Sequence, residues 1–307
     1  MSKIKKVIII FCLFIVGGCQ NNVFDKNSIK ENYYISFTVT KKENNKLNMY
    51  IYTYDLKNNE IQCKDKIPYT SQYPLGIYDK KRNQIFYSSK VNGTNDELFV
   101  KDLETKETKQ ITDSFFAINY IFPLENGIYI AAVERGERAI NLFLYKNGKL
   151  SRVIDDKDLF ISQIHLNPKL NKLIFSSYSQ SQLDALMEKN DEEEEVPNMI
   201  YLYDLYSNNI KKILENKNYV SFVCLGNDEK VYLKTDQIYK YDRNLDKTEY
   251  DNLGISEMVY LDNESLYYIN EERTKLLKYD LNDKKEIVLY ETEIKESAIN
   301  NATILKN

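Results

Sequence analysis

The chain has 307 residues and a formal net charge of −4, from 42 basic and 46 acidic side chains, with one histidine, four cysteines and no tryptophan. Neutralising a phosphate backbone needs a basic surface, and no long lysine or arginine block is present, so the composition argues against nucleic acid as a partner. A single histidine, with no Cys-x-x-Cys pair and no Gly-x-Ser-x-Gly turn, defeats most nucleophile and metal templates, and the sequence calls for no cofactor and no metal.

In chain order, Lys3, Lys5 and Lys6 precede an apolar run over 7–16, which ends in Val16-Gly17-Gly18-Cys19. A basic start and about ten apolar residues fit an export signal, and the run is too short to span a bilayer core of roughly 30 Å as a helix. Residues 1–18 therefore address the protein and stand outside its fold. The Val-Gly-Gly-Cys ending resembles the lipobox of bacterial lipoproteins. That resemblance implies cleavage before Cys19, a diacylglycerol on its thiol, and a mature protein held on the extracytoplasmic face of the cell membrane. Two acyl chains, at about 0.8 kcal/mol per buried methylene, hold a protein to a bilayer without a polybasic patch. Residues 19–32 then form the lipidated cysteine and a flexible tether with a mean reach of roughly 20 Å. Loss of the three lysines in 1–18 leaves 39 basic against 46 acidic residues, a net charge near −7.

From residue 33 onward one phrase recurs, an apolar run ending in Tyr-Asp-Leu or close to it. It covers 50–56, 98–103, 142–146, 200–205, 238–242 and 276–281. The steps between the aspartates, with Lys146 standing in for the third, are 47, 44, 58, 38 and 38 residues. Periods of this size suit four-stranded propeller blades. Each copy has a second apolar run upstream (33–37, 85–87, 128–130, 173–175, 231–233, 266–268) and a short polar strand downstream, such as 108–112, 150–154, 210–214 or 286–290. These read as strands B, C and D of a blade, with D outermost. Asparagine-rich turns stand where glycine is usual, since asparagine tolerates the left-handed conformation. The innermost strand A precedes B in five blades, at 73–78, 116–122, 161–166, 220–225 and 255–261. The first blade lacks one, and the tail carries an unclaimed apolar run, 298–305. The predicted fold is therefore an all-β, six-bladed propeller over 33–307, its ring closed when the C-terminal strand joins the N-terminal blade. The 26 tyrosines suit half-buried strands, with a carbohydrate-binding platform as the alternative.

The second blade reads Gln84-Ile85-Phe86-Tyr87-Ser88-Ser89, Asn92-Gly93, then 97–103 ending in Asp102-Leu103, then Gln110-Ile111-Thr112. This resembles the TolB-type, WD40-like propeller repeat, and 172–177 with 200–205 is a looser copy. The resemblance implies a six-bladed, non-catalytic interaction scaffold.

The long fourth step marks an insertion over 179–197, with helix formers, Leu183, Leu186 and Met187 on one face, and Pro197 as a stop. It reads as a surface helix with a solvated acidic end, or as a lid or partner handle. Glu192, Glu193, Glu194 and Glu195 point in different directions on a helix and form no calcium loop. His165 and Cys224 fall on different inner strands, where a satisfied core histidine is the plainer reading and a catalytic pair across the channel the sharper one. Cys63 and Cys224 are expected as small buried hydrophobes, too far apart for a disulfide. Ligands of propellers meet the channel mouth, and the polar residues expected there are Gln72, Asn119, Gln163, Glu257 and Asn300. The expected function is a membrane-anchored scaffold, attached to the bilayer through Cys19, that binds an envelope protein or peptide. A glycan or small-molecule receptor and an enzyme acting on cell-wall material remain open at this stage.

Overall fold

The computed structural model describes residues 33–189, 196–250, 253–292 and 296–307. The export signal, Cys19 and the tether, and the acidic run Glu192 to Glu195, lie outside the described residues. The strands fall into six four-stranded antiparallel sheets. The first contains β1 (Tyr33–Glu43), β2 (Lys46–Asp55) and β3 (Glu60–Pro68). The second is β4 (Gly76–Asp79), β5 (Gln84–Val91), β6 (Asn95–Asp102) and β7 (Thr108–Gln110), and the third is β8 (Phe115–Leu124), β9 (Gly127–Glu134), β10 (Asn141–Lys146) and β11 (Lys149–Arg152). The fourth is β12 (Leu159–Asn167), β13 (Lys172–Ser179), β14 (Asn198–Asp204) and β15 (Asn209–Asn216), with helix α1 (Gln180–Lys189) between its second and third strands. The fifth is β16 (Phe222–Leu225), β17 (Val231–Lys234), β18 (Ile238–Tyr241) and β19 (Lys247–Glu249), and the sixth is β20 (Ile255–Leu261), β21 (Ser265–Asn270), β22 (Lys275–Asp280) and β23 (Lys285–Glu291). The last strand, β24 (Ala298–Lys306), returns to the first sheet and pairs antiparallel with β1, from Tyr33 opposite Lys306 to Thr40 opposite Ala298. The result is a six-bladed β-propeller closed by its own tail.

Burial follows the radial order. Inner strands β4 and β16 are buried at every residue, whereas outer strands β7 and β19 are exposed at every residue. An inner strand is covered by sheets on both faces and reads as a continuous apolar run, while an outer strand meets water and tolerates lysine and threonine. Cys63 corrects the sequence expectation. It lies exposed on outer strand β3, because a strand with solvent on its outer side does not bury alternate residues; Cys224 is buried, and both thiols are free.

The recurring Tyr-Asp phrase has a local cause. Asp204 Oδ1 accepts the backbone N–H groups of Tyr206 (3.0 Å) and Ser207 (2.9 Å), while the Tyr203 hydroxyl donates to Asn208 Oδ1 at 2.9 Å. Asp55 does the same for Lys57 and Asn58, and Tyr54 reaches Asn59. Asn59 and Asn208 both sit in the left-handed region, at φ 54° and 53°. The aspartate satisfies donors that the turn leaves free, the asparagine supplies the positive φ, and the tyrosine pins the asparagine. The turn from β4 to β5 uses the same device, with Asp79 accepting from Lys81 and Tyr78 donating to Asn83.

Blades adhere through apolar faces and through buried polar side chains that reach the next inner strand. The Thr38 hydroxyl donates to Gly76 O at 2.7 Å, and Ser36 Oγ accepts from Tyr78 N at 2.9 Å. Gly76 is required there, since a Cβ would lie 2.7 Å from Ile51. Between the sixth and first blades the contact is aromatic: Phe37 meets Tyr290 at 5.2 Å between ring centres, Tyr52 meets Tyr290 at 5.0 Å, and Tyr33 meets Tyr260 at 5.9 Å.

Strand β24 buries Ile299, Ile304 and Leu305, at about 1.5–3 kcal/mol each, which together approach the whole stability of an ordinary domain. Deletion of 298–307 is expected to lower the melting temperature by more than about 10 °C or to prevent folding. Thermal unfolding followed by circular dichroism checks this, and an unchanged transition would refute closure by the tail.

Candidate functional site

The two ends of the ring differ. One carries the connections from each outer strand to the next inner strand and those from second to third strands; the other carries the tight turns from first to second and from third to fourth strands. The first end opens into a cavity of about 670 Å³ on the ring axis, inside the range of about 300–1,000 Å³ usual for ligand pockets. Asn119, Gln163, Glu257 and Asn300 all line it. They converge because each occupies the entering half of an inner strand: β8, β12, β20 and β24. Gln72 does not line it. It is exposed on the rim, where Nε2 donates to Phe116 O at 3.2 Å, and its backbone N–H donates to buried Asp96 at 2.7 Å.

One wall is charged. Arg273 donates from Nε to Ile299 O (2.7 Å), from Nη1 to Ser256 Oγ (2.8 Å) and from Nη2 to both Glu257 Oε2 and Asn300 O (2.8 Å each). It thereby clasps β20 of the sixth blade to closing strand β24. Arg273 sits at φ 54° in the β21–β22 turn, a conformation that costs a side chain about 1–2 kcal/mol. The four hydrogen bonds, each worth about 1.5–3 kcal/mol when a charge takes part, offset it. Beside it Lys234 donates to Ile255 O at 2.7 Å and pairs with Glu271 at 3.0 Å. The cavity's two cations and two carboxylates thus form two ion pairs.

The rim is aromatic. Tyr73, Phe116 and Tyr219 are 45%, 45% and 56% exposed; Tyr73 and Tyr219 precede inner strands β4 and β16 and Phe116 is the second residue of β8, which puts all three at the same end of the ring. Phe160 stacks on Tyr178 at 4.6 Å on the fourth blade, at that end too. Sequence reasoning missed Arg273, Lys234 and Glu271 because it searched inner strands alone. The available signal was position: residues at the end of a second strand or just after it must emerge at the mouth.

Below the mouth the axis is plugged. The Tyr120 hydroxyl donates to Gln163 Oε1 at 3.1 Å, and beneath them the void shrinks to about 40 Å³ among Ile121, Phe122, His165, Met258 and Ala302. His165 and Cys224 do not face each other across the channel. They belong to adjacent blades, and Cys224 Sγ is 3.6 Å from His165 Nε2. The geometry does not make a nucleophile. Nε2 lies 3.0 Å from Val259 O, so that nitrogen carries the proton and donates it, and the thiol faces an N–H instead of a base. Burial pushes the Cys224 thiol up and the His165 imidazole down to about 4, so both charged forms are opposed. No cluster of three metal-ligating side chains occurs among the described residues.

No protein-family model and no curated protein sequence matches the chain. Solved structures do match it in shape. The crystal structure of a nidogen/laminin complex gives a TM-score of 0.58 at 11% identity, covering 89% of this chain and 98% of that one. TolB from Acinetobacter baumannii gives a TM-score of 0.58 at 14% identity, covering 88% of this chain and 66% of that one. The chain is therefore similar in fold to TolB-like propellers, and the six-bladed ring is what they share.

His165 is the only histidine, so its titration can be isolated. The unfolded chain protonates it near 6.5 and the folded chain near 4, so its contribution is present above pH 6.5 and is lost as pH falls toward 4. The loss is expected to be on the order of 3 kcal/mol. Urea unfolding between pH 7 and 4 should show it in the wild type and a flatter profile in His165→Gln; parallel profiles would contradict this.

Proposed function

We propose that this chain is a lipoprotein attached through Cys19 to the extracytoplasmic face of the cell membrane, and that its propeller mouth binds a protein or peptide partner in the envelope. The observation that supports this most is the combination at the mouth: exposed Tyr73, Phe116 and Tyr219 around a cavity walled by amides and ion pairs. Tyrosine and phenylalanine are enriched at protein-binding interfaces, and tyrosine in their hot spots. Amide side chains such as Asn119, Gln163 and Asn300 offer both donors and acceptors, which matches a peptide backbone.

A glycan receptor is the second reading, favoured by the same aromatic rim. One feature weighs against an enzyme acting on cell-wall sugars. Such an enzyme needs one carboxylic acid ready to give up a proton, and both carboxylates of the cavity are committed to Arg273 and Lys234.

Proximity cross-linking of the lipidated protein in its native envelope, with mass spectrometry of captured proteins, tests the proposal. A single partner is expected, lost in a Cys19→Ser strain. Its capture should also fall by about tenfold or more in Tyr73→Ala and Tyr219→Ala, since hot-spot truncation costs about 2 kcal/mol or more. No captured partner from a correctly anchored protein, with retention of a cell-wall fragment instead, would overturn it in favour of the glycan reading.

A further inference from the structure

The end of the ring opposite the mouth has a different chemistry, and the chain enters the fold there. Tyr33, the first residue of β1, is paired with Lys306, the last of β24, and its carbonyl accepts from Leu56 N in the β2–β3 turn. The start of the propeller therefore lies at the tight-turn end. That end contains a depression of about 440 Å³, whose charged lining is Lys81, Arg82, Lys146 and Lys306 against Asp79 and Glu125. Arg82 is held by Asp79 and by Leu124 O, and Lys81 pairs with Glu125 at 2.6 Å. Lys146 and Lys306 are the surplus. A chain with a net charge of −4 thus places a patch of net +2 on this one face, while the mouth is balanced. Tyr206 in the β14–β15 turn, 86% exposed, lines the depression, and at the same end of the ring Leu245 in the β18–β19 turn is also exposed.

We propose that the tight-turn face is the bilayer-facing side of the protein, with Lys146 and Lys306 meeting anionic phospholipid headgroups and Tyr206 and Leu245 resting in the interface. The inference rests on anchoring through Cys19. With a reach of roughly 20 Å over 19–32, the membrane surface is nearer to this face than to the mouth, because strands of eight to ten residues such as β8 and β9 make the ring about 30 Å tall. Charge complementarity selects anionic lipid: each lysine near such a surface contributes about 1 kcal/mol, and tyrosine is the side chain favoured at the headgroup level. The mouth, on the far side, is then presented outward to the envelope.

The test uses the mature protein acylated at Cys19 in vesicles, with Cys63→Ser so that the exposed native thiol does not react. Fluorophores are attached at Tyr206→Cys, at Leu245→Cys and, on the mouth side, at Met187→Cys of α1. A headgroup-labelled quencher lipid is expected to quench positions 206 and 245 severalfold more than 187. Charge reversal at Lys146→Glu and Lys306→Glu should reduce that excess in phosphatidylglycerol vesicles, by about fivefold per lysine in the docked population, and leave it unchanged in phosphatidylcholine. Equal quenching at the three sites overturns the proposal, as does shielding of 206 and 245 in native envelopes but not in vesicles, which would assign the face to a protein. Intact mass of the same sample separates the two readings. A diacylglycerol on Cys19 with equal quenching defeats the orientation alone, whereas its absence defeats the anchor and the orientation with it.

Discussion

The pairing of β24 with β1 is the constraint on which the rest depends. A ring of separate sheets has no covalent reason to stay closed, and any gap exposes the apolar faces of two blades and an unpaired inner edge. Here the tail supplies the innermost strand of the first blade, so blade one contains both ends of the fold, and opening the ring means breaking a sheet. Arg273 reinforces the same place from the mouth side, since its guanidinium holds both the sixth blade and the closing strand. The aromatic contacts of Tyr290 and Tyr260 with the first blade fill the space behind.

Closure also makes the mouth. Asn300 and Asn301 reach the cavity only because β24 lies innermost, and Glu257 is oriented by an arginine whose other bonds go to that strand. The neck below the cavity, with Tyr120 bonded to Gln163 and with His165 bonded to Val259 two blades away, separates the aromatic-rimmed mouth from the end that holds the cationic depression. Two chemically distinct faces on one rigid ring allow one to face a surface while the other meets a partner. Loops and rims mounted on such scaffolds are where binding residues collect.

Most of the architecture was legible in the sequence because the Tyr-Asp turn repeats. Asp55, Asp102, Asp204, Asp242 and Asp280 each cap a turn, and a device reused in five of the six blades leaves a periodic trace. The missing inner strand of blade one could be inferred by counting, and four cavity residues followed from their place on inner strands. What could not be read depends on contacts between blades. His165 and Cys224 are 59 positions apart, and only the ring order makes them neighbours. Arg273 lies in a turn that looks ordinary until closure brings Ile299 and Asn300 against it. Cys63 misled because its strand is outermost, and alternation carries little information where one side is water. Gln72 is one residue short of the inner strand's approach and ends on the rim.

Native-state hydrogen exchange of β1 and β24 tests the closure most directly. If the tail is the strand that holds the ring, amides of Ile35, Phe37, Ala302 and Ile304 should exchange only through global unfolding, with the same denaturant dependence as amides in β8 and β12. Exchange of β24 amides through local fraying at a free energy well below the global value, with β8 still protected, would contradict it.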